Sequence, residues 1–311
     1  MQLVLGATGG VGHWVVEKLL ARGNRVRVMV RTPGKLRQIS GMEYVEVVEG
    51  DAAKIDDVKR SVTGVDSVYY CVNVPYQEWK TRALPMLENT VTAAKESGAK
   101  IVFPGNVYVY GHAQSDFVGE SHPLAAHTRK GKIRIQMEQL LHDAWKEENV
   151  PYTVVRFPDF YGPFVVNDLY APIFRDALQG RTMTWYGRLD APIEFAYIED
   201  AAEALVMAGL DSDANGESYN VPGAEVTTPR QFLQLVASVA GTKARIHATP
   251  KFLIRLAGIS NPLVREFYEM LYLKDERLIL DGSKFKTKFG VIPTTPYKDG
   301  IKKTLDWFRA N

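Results

Sequence analysis

The sequence is poor in cysteine, in long apolar runs and in net charge, and each absence excludes a class of protein. Cys71 is the one cysteine in 311 residues, so no internal disulfide can form and a reducing compartment, the cytoplasm, is expected. No apolar run reaches the ~18 residues of a membrane span, and neither a membrane segment nor a signal peptide is expected. The 38 basic and 36 acidic residues leave a net charge of +2, which argues against a dedicated nucleic-acid binder.

Metal-ligand patterns are also missing. His112, His122 and His127 have no neighbouring cysteine and no tight ligand spacing, so neither a metal site nor a catalytic triad is expected. What is present is a hydrophobic fraction of 46% in a chain long enough to bury a full core. Composition therefore indicates a globular protein and leaves open whether it is an enzyme.

Strand-like and helix-like segments alternate through the first half of the chain. Continuously apolar runs, typical of strands covered on both faces, lie near residues 3–5, 26–30, 45–48, 67–72, 100–103 and 152–155. Helical patterns between them predict an α/β fold with a doubly wound parallel sheet. After residue 165 the alternation stops. We predict a sheet domain of residues 1–165 plus about 193–223, with about 166–192 and 224–311 forming a smaller lobe.

A glycine-rich turn follows the first predicted strand directly and opens the first helix. In the stretch G-A-T-G-G-V-G, three glycines fit the spacing G-x-x-G-x-x-G. Glycines there permit a tight turn and close approach of backbone N–H groups to a pyrophosphate, and the helix N-terminus adds partial positive charge. The motif predicts a dinucleotide site. The turn residues expected to bind the cofactor are Gly6, Thr8, Gly9, Gly10, Val11 and Gly12.

The end of the second predicted strand indicates which dinucleotide binds. An Asp or Glu about 20 residues after the glycines would bind the ribose 2′-hydroxyl of NAD. This chain has Arg31 there, with Lys35 nearby, and a guanidinium can pair with a 2′-phosphate through two hydrogen bonds. We therefore predict NADP in preference to NAD. The alternative is a solvated arginine at the end of a strand.

Five further motifs occur in a fixed order after the turn. They are G-D-A-A at 50–53, V-Y-V-Y-G at 107–111, R-F-P-D-F-Y-G-P at 156–163, F-A-Y-I-E-D-A-A-E-A at 195–204 and E-S-Y-N-V at 217–221. Together with the glycine turn they resemble the extended short-chain dehydrogenase/reductase family, the NAD-dependent epimerases/dehydratases. The resemblance spans nearly the whole chain. It implies a Rossmann-type fold, a nicotinamide cofactor, a substrate lobe and, in many members, a homodimer.

The resemblance also implies cofactor contacts beyond the turn. Asp51, with Ala52 beside it, matches the position that contacts the adenine. The residues matching the ribose side and the nicotinamide are Val72, Asn73, Phe157 and Pro158.

All three catalytic positions of the family are changed in this chain. The family works with Ser or Thr, Tyr and Lys, in motifs like S-S-x-x-V-Y-G and Y-G-x-S-K-x-x-x-E. Here K-G-K-I-R-I-Q-M-E at 130–138 puts Lys130 at the tyrosine position and Arg134 at the lysine position. The stretch G-N-V-Y-V-Y-G puts Asn106 at the serine position. The resemblance implies that Asn106 orients the substrate oxygen, Lys130 supplies the proton and Arg134 holds the ribose.

The changes are physically coherent, although alternatives stay open. Arg134 can donate hydrogen bonds but cannot release a proton. Lys130 could release one only if its pKa fell well below ~10.4, which the Arg134 charge on the same helix face would favour. A slipped register would instead pair Thr128 with Lys132. Other possible proton donors, or simply packed side chains, are Tyr108, Tyr110 and Tyr161.

The sequence thus predicts an NADP- or NAD-dependent oxidoreductase or epimerase-like enzyme for a carbonyl or secondary alcohol, with nucleotide sugars among the possible substrates. The alternative is a protein that binds NADP without turning it over and signals redox state to a partner. The basic run 129–134 could bind RNA, but a solvated helix start accounts for it, so no nucleic-acid partner is expected. An apolar aromatic wall for a substrate pocket, or else core, is indicated by Val74, Pro75, Tyr76 and Trp79.

Overall fold

A parallel sheet with helices on both faces forms the centre of the molecule. The computed structural model describes residues 1–36, 39–167 and 169–311, with the backbone alone at 257, 262 and 263. The strands are β1 (Gln2–Leu5), β2 (Val26–Val30), β3 (Val45–Glu49), β4 (Ser67–Tyr70), β5 (Lys100–Asn106), β6 (Tyr152–Phe157), β7 (Asp159–Tyr161), β8 (Met183–Tyr186), β9 (Phe195–Tyr197), β10 (Glu217–Asn220) and β11 (Ile246–Thr249).

Eleven α-helices lie within the described residues. They are α1 (Gly10–Ala21), α2 (Ile55–Val62), α3 (Leu84–Ser97), α4 (Arg129–Glu148), α5 (Ala171–Leu178), α6 (Ile198–Leu210), α7 (Pro229–Ala240), α8 (Lys251–Ser260), α9 (Pro262–Tyr268), α10 (Ser283–Phe289) and α11 (Tyr297–Ala310).

Seven of the strands form one parallel sheet in the order β10-β6-β5-β4-β1-β2-β3. Helices α1 and α6 share an apolar core with one face, and α2, α3 and α4 cover the other. Because both faces are covered, strands such as β1 and β6 are buried along their whole length. The predicted doubly wound, Rossmann-type α/β fold is confirmed.

Helix α4 matters most for the site, and local sequence sets its ends. The Thr128 hydroxyl accepts a hydrogen bond from the Gly131 N–H at 3.1 Å, which caps the first turn. Asn149 ends the helix in the left-handed conformation, with φ of 56°. A Cβ at Gly131 would lie 2.5 Å from the Tyr108 carbonyl oxygen, so glycine lets the helix start press against the loop after β5.

The lobe beyond β7 has its own core. Parallel pairs β8–β11 and β7–β9 pack with α5, α7 and α11 around aromatic rings such as Tyr161, Phe195 and Phe232. The structure differs from the sequence-based division at α10, which packs on β10 through Phe285 and Tyr219. No helix in the described ranges is long and apolar enough to cross a membrane.

Candidate functional site

A cavity of about 550 Å³ opens where the sheet meets the lobe. The glycine turn and the carboxyl ends of β4, β5 and β6 form its sheet side. Residues 164–170, apart from the undescribed 168, and Phe267 of α9 form the opposite side. Ligands of open α/β sheets bind at this edge, outside the carboxyl ends of the strands.

The glycine turn fits the phosphates of a dinucleotide. Gly6 has φ of +84°, and a Cβ there would lie 2.5 Å from the Cys71 carbonyl oxygen; a Cβ on Gly12 would lie 2.4 Å from the Gly6 oxygen. Both positions therefore require glycine. Gly9 is exposed at the start of α1, and no side chain caps this helix. Its first N–H groups lack intrahelical partners and are free to bind an anion.

The predicted adenosine contacts lie along the same edge of the sheet. Arg31 follows β2 and is exposed, and Asp51 follows β3. Parallel register between β1, β2 and β3 brings their carboxyl ends together with Gly6. The Asp51 carboxylate accepts a hydrogen bond from the Ala53 N–H at 3.0 Å, which orders this loop.

The cavity brings together most of the predicted site residues. Those that line it are Thr8, Gly9, Gly10, Val11, Val72, Asn73, Asn106, Arg134, Phe157 and Pro158, along with the aromatic-wall residues Val74, Pro75, Tyr76 and Trp79. Predicted residues outside its lining are Gly6, Gly12, Arg31, Asp51, Ala52 and Lys130. Gly6 and Gly12 lie in the glycine turn, and Arg31, Asp51 and Ala52 follow the carboxyl ends of β2 and β3. Lys130 lies behind the cavity wall.

Asn106 presents a fixed hydrogen-bond donor to the cavity. Its Oδ1 accepts from the Tyr108 N–H at 3.2 Å, which orients the amide. No described residue accepts from the Nδ2 group, which is left to donate to the oxygen of a ligand.

Arg134 is a half-buried cation without a carboxylate partner among the described residues. Its guanidinium lies against the rings of Trp79 and Phe103, 4.9 and 5.3 Å from their centroids. It donates one hydrogen bond, to the Pro104 carbonyl at 3.3 Å, and its Nε is buried without a partner. Burial lowers the pKa of Arg134, which Tyr108 and Glu138 partly offset. An arginine keeps its charge nonetheless, so this side chain is suited to bind a ligand acceptor.

Lys130 lies one turn earlier on the same helix in different surroundings. Its side chain is 2% exposed and donates to the Glu266 carbonyl at 2.9 Å and to the carboxylates of Glu266 and Glu269 at 2.5 and 2.7 Å. These bonds use all three ammonium protons. The geometry argues against the predicted role of Lys130 as proton donor and favours a role in joining α4 to α9.

Two alternatives from the sequence involve residues 128–134: a slipped register that pairs Thr128 with Lys132, and RNA binding by the basic run. The positions of these residues support neither. Thr128 is buried as the helix cap and Lys132 is exposed; neither lines the cavity. Arg129 also pairs with Glu266 and Glu269, so much of the positive charge of this run is neutralised within the chain.

Of the three alternative tyrosines, Tyr108 alone lines the cavity. Its hydroxyl lies 2.9 Å from that of Tyr76, which also lines the cavity. Burial raises the pKa of Tyr108 well above its ordinary value and that of Tyr76 to about 12, so both phenols are protonated at neutral pH. Tyr110 instead donates to Asn220 and accepts from Arg156, as part of the core.

Sequence reasoning missed one polar cluster in the cavity wall. The Asp159 carboxylate Oδ2 accepts a hydrogen bond from the Tyr170 hydroxyl at 2.7 Å and pairs with the Lys274 ammonium, which also contacts that hydroxyl. Burial alone would raise the pKa of Asp159, but the charge and hydrogen bond of Lys274 and the bond from Tyr170 hold it below the ordinary value. The one signal in the sequence for this cluster was the acidic residue Asp159, at the end of the stretch R-F-P-D.

Comparison with known proteins identifies the family of this fold. The family model for the NAD dependent epimerase/dehydratase family matches residues 2–222. The chain belongs to the NAD-dependent epimerase/dehydratase family. This confirms the resemblance predicted from the motifs.

Its curated relatives are enzymes with several activities. The UDP-N-acetyl-alpha-D-glucosaminuronate decarboxylase of Bacillus cytotoxicus is 24% identical over 99% of this chain and 97% of its own length. The (4-alkanoyl-5-oxo-2,5-dihydrofuran-3-yl)methyl phosphate reductase of Streptomyces griseus is 31% identical over 79% of this chain and 76% of its own.

Solved structures show the same fold. A dTDP-glucose 4,6-dehydratase from Streptomyces venezuelae, with NAD bound, superposes with a TM-score of 0.82 at 20% identity, covering 100% of this chain and 97% of its own. The Thermus thermophilus UDP-glucose 4-epimerase complex with NAD gives 0.78 at 20% identity, covering 99% of both chains.

Proposed function

We propose that this family member is an NAD(P)-dependent oxidoreductase or epimerase-like enzyme that acts on a carbonyl or secondary alcohol. The observation that carries the proposal is a single cavity that joins an uncapped glycine turn to Asn106, Tyr108 and Arg134. Membership of a family of NAD-dependent enzymes supports it. When bound, the nicotinamide would give or take the hydride.

The lining residues divide between cofactor and substrate. The N–H groups of Gly10 and Val11 bind the pyrophosphate, and Val72 and Asn73 line the ribose side. Phe157 and Pro158 flank the nicotinamide. Arg134 donates to the ribose hydroxyls, which provides its buried guanidinium with acceptors.

Asn106 and Tyr108 act on the substrate oxygen. In the reducing direction the carbonyl carbon takes the hydride, Asn106 Nδ2 donates to the oxygen, and Tyr108 gives its phenolic proton to that oxygen. Oxidation of an alcohol would need the ionised phenol to accept the proton, so the raised pKa of Tyr108 favours the reducing direction. A positioned acid of this kind contributes about 10²- to 10⁴-fold in rate. Tyr108, and not Lys130, supplies the proton, because all three protons of the Lys130 ammonium are donated to Glu266 and Glu269.

We further propose that NADP is preferred to NAD. Arg31 is exposed at the end of β2, and its guanidinium makes no hydrogen bond or ion pair with any described residue. It is therefore available to the 2′-phosphate of a bound NADP. The solved relatives above are complexes with NAD, so the preference rests on Arg31. The single cysteine supports a cytoplasmic location, and a homodimer stays a prediction from the resemblance.

The Gly9→Asp variant tests the proposal as a whole. A Cβ at Gly9 would come no closer than 3.5 Å to another atom, so the chain should fold, but a carboxylate would then repel the pyrophosphate. We expect NADPH affinity, measured by nicotinamide fluorescence, to fall about 100-fold or more, and turnover of carbonyl substrates to fall with it.

Gly119→Asp is the matched control, since a Cβ at Gly119 meets nothing within 4 Å and Gly119 does not line the cavity. Unchanged NADPH binding in Gly9→Asp would overturn the cofactor site. Tight NADPH binding by the unmodified protein, with no oxidation of NADPH by any carbonyl compound in a broad panel, would instead support the redox-signalling alternative.

A further inference from the structure

The half of the cavity away from the glycine turn is mainly apolar and aromatic. Its wall includes Pro75, Tyr76, Trp79, Tyr108, Leu169 and Tyr170. In the described part of the chain, the charged side chains that line the whole cavity are Arg134 and Asp159. Arg134 is assigned above to the ribose, which leaves Asp159 as the charged group facing the substrate.

Asp159 has one carboxylate oxygen engaged and one available. The bonds from Tyr170 and Lys274 both go to Oδ2, and no described residue donates to Oδ1. The available oxygen can accept a hydrogen bond from a ligand but cannot donate one while the carboxylate is ionised.

Lys274 keeps that carboxylate ionised without adding positive charge to the cavity surface. Its side chain is buried, and its ammonium lies 5.0 and 5.2 Å from the centroids of the Tyr170 and Trp185 rings. It is not among the lining residues. A ligand therefore meets the negative end of this pair.

These surroundings disfavour a ligand that carries phosphate in this half. A diphosphate there would meet the carboxylate end of the Asp159–Lys274 ion pair and would be repelled by it. Arg134 lies against Trp79 on this side, but the proposed function assigns its hydrogen-bond donors to the ribose. An O–H group, in contrast, would donate to Oδ1 while the aromatic wall buries the rest of the molecule.

We propose that the substrate is an uncharged, largely apolar carbonyl compound with a hydroxyl group that donates to Asp159, and that Asp159 discriminates against nucleoside diphosphate sugars. This inference rests on the proposed function and specifies the substrate class of the same site. It separates this chain from those relatives whose names specify nucleotide-sugar substrates.

Three probes test the inference on the protein saturated with NADP⁺, which cannot reduce the ketones during the titration. 2-Hydroxyacetophenone has the aromatic ring, carbonyl and hydroxyl; acetophenone lacks the hydroxyl; UDP-glucose carries the diphosphate. Calorimetric titration should show that the hydroxyketone binds about 10- to 100-fold more tightly than acetophenone, the range expected for a hydrogen bond to a charged group. UDP-glucose should bind more weakly than either ketone.

The Asp159→Asn variant should reduce the preference for the hydroxyketone over acetophenone by about tenfold or more. Asp190→Asn is the matched control, because Asp190 is exposed in a surface ion pair, and should keep the preference. If Asp159→Asn fails to fold because Lys274 is left buried without its partner, the double variant Asp159→Asn/Lys274→Met removes both charges and carries the same expectation.

The outcomes separate this inference from the proposed function. Tighter binding of UDP-glucose than of the ketones, no binding of either ketone, or an unchanged preference in the Asp159 variants would overturn the inference. Reduction of NADP⁺ by UDP-glucose, with oxidation of a sugar hydroxyl to a ketone, would then leave the proposed function standing. Ketone binding as expected, without NADPH oxidation by any carbonyl compound, would contradict the proposed function and leave the binding preference intact.

Discussion

Two cations one turn apart on α4 have opposite surroundings. Lys130 is held by the carboxylates of Glu266 and Glu269 and lies outside the cavity lining. Arg134 lines the cavity and has no carboxylate partner among the described residues. The motif alignment assigns both to positions at which the family carries catalytic side chains, yet only Arg134 faces the proposed reaction space.

The difference teaches how to tell a structural charge from a ligand-binding one. A buried charge is costly unless a partner offsets its loss of hydration. Lys130 finds its partners within the fold, so its charge supports the packing of α9 on α4. Arg134 lacks such a partner, and the cost is offset when a ligand provides acceptors. The free protein should therefore be less stable because of Arg134 and more stable because of Lys130.

Replacing Arg134 should produce the largest effect on function. In Arg134→Met, an apolar side chain of similar length fills the space between Trp79 and Phe103 without a buried charge. We expect NADPH affinity to fall about 10- to 100-fold, as for a lost hydrogen bond from a charged group, and kcat/KM to fall about 100-fold or more. The melting temperature of the free protein should stay the same or rise.

Arg134→Lys serves as the control. It keeps the positive charge and an ammonium group that can donate hydrogen bonds, so it should recover part of the NADPH affinity. A variant Arg134→Met that melts several degrees lower and retains kcat/KM would reverse the comparison, with Arg134 becoming the structural cation.

Replacing Lys130 should affect stability instead. Lys130→Met removes the buried cation shared by Glu266 and Glu269 and leaves them with the exposed Arg129 alone; breaking a buried pair costs about 3–5 kcal/mol. We expect a loss of that size in the free energy of unfolding, measured by urea titration. The kcat of the folded fraction should stay within about fivefold of the unmodified enzyme.

The triple variant Lys130→Met/Glu266→Gln/Glu269→Gln removes the two carboxylates that lost their buried partner and should regain much of the lost stability. The original hypothesis from the sequence predicts another result, in which Lys130→Met folds normally, binds NADPH and has no turnover. That combination would restore Lys130 as the proton donor.

The fold could be predicted because its signals are local. Buried parallel strands are continuously apolar, and the glycine turn joins β1 to α1 within a few residues, so β1 to β6 were located from short windows of sequence. The short strands β7, β8 and β11 have three or four residues each. They were missed because such segments show too little periodicity to stand out from loops.

The site was predictable only where contacts are local or where the motif fixes them. The family motifs led to Asn106 and Arg134, and both line the cavity. They could not show that Lys130 meets Glu266 and Glu269, 136 and 139 residues later, or that Asp159 meets Lys274, 115 residues later. Pairing across the lobe depends on tertiary packing, and no pattern in a single sequence encodes it.

Arg31 is a third cation, and it is solvated. Its replacement should have a smaller effect than replacement of Arg134 or Lys130. It is exposed and makes no ion pair with the described residues, but water offsets the cost of its charge, so the lack of a partner is weaker support for a ligand than at Arg134. We expect Arg31→Ala to weaken NADPH binding about tenfold and NADH binding less than twofold, with no change in melting temperature.

Arg25→Ala is the matched control. Arg25 is exposed just before β2, at the opposite edge of the sheet, and its substitution removes the same charge. Fluorescence titration with NADPH and with NADH measures both affinities. If Arg31→Ala loses equal affinity for the two dinucleotides, or if Arg31→Ala and Arg25→Ala bind them equally well, the 2′-phosphate does not contact Arg31.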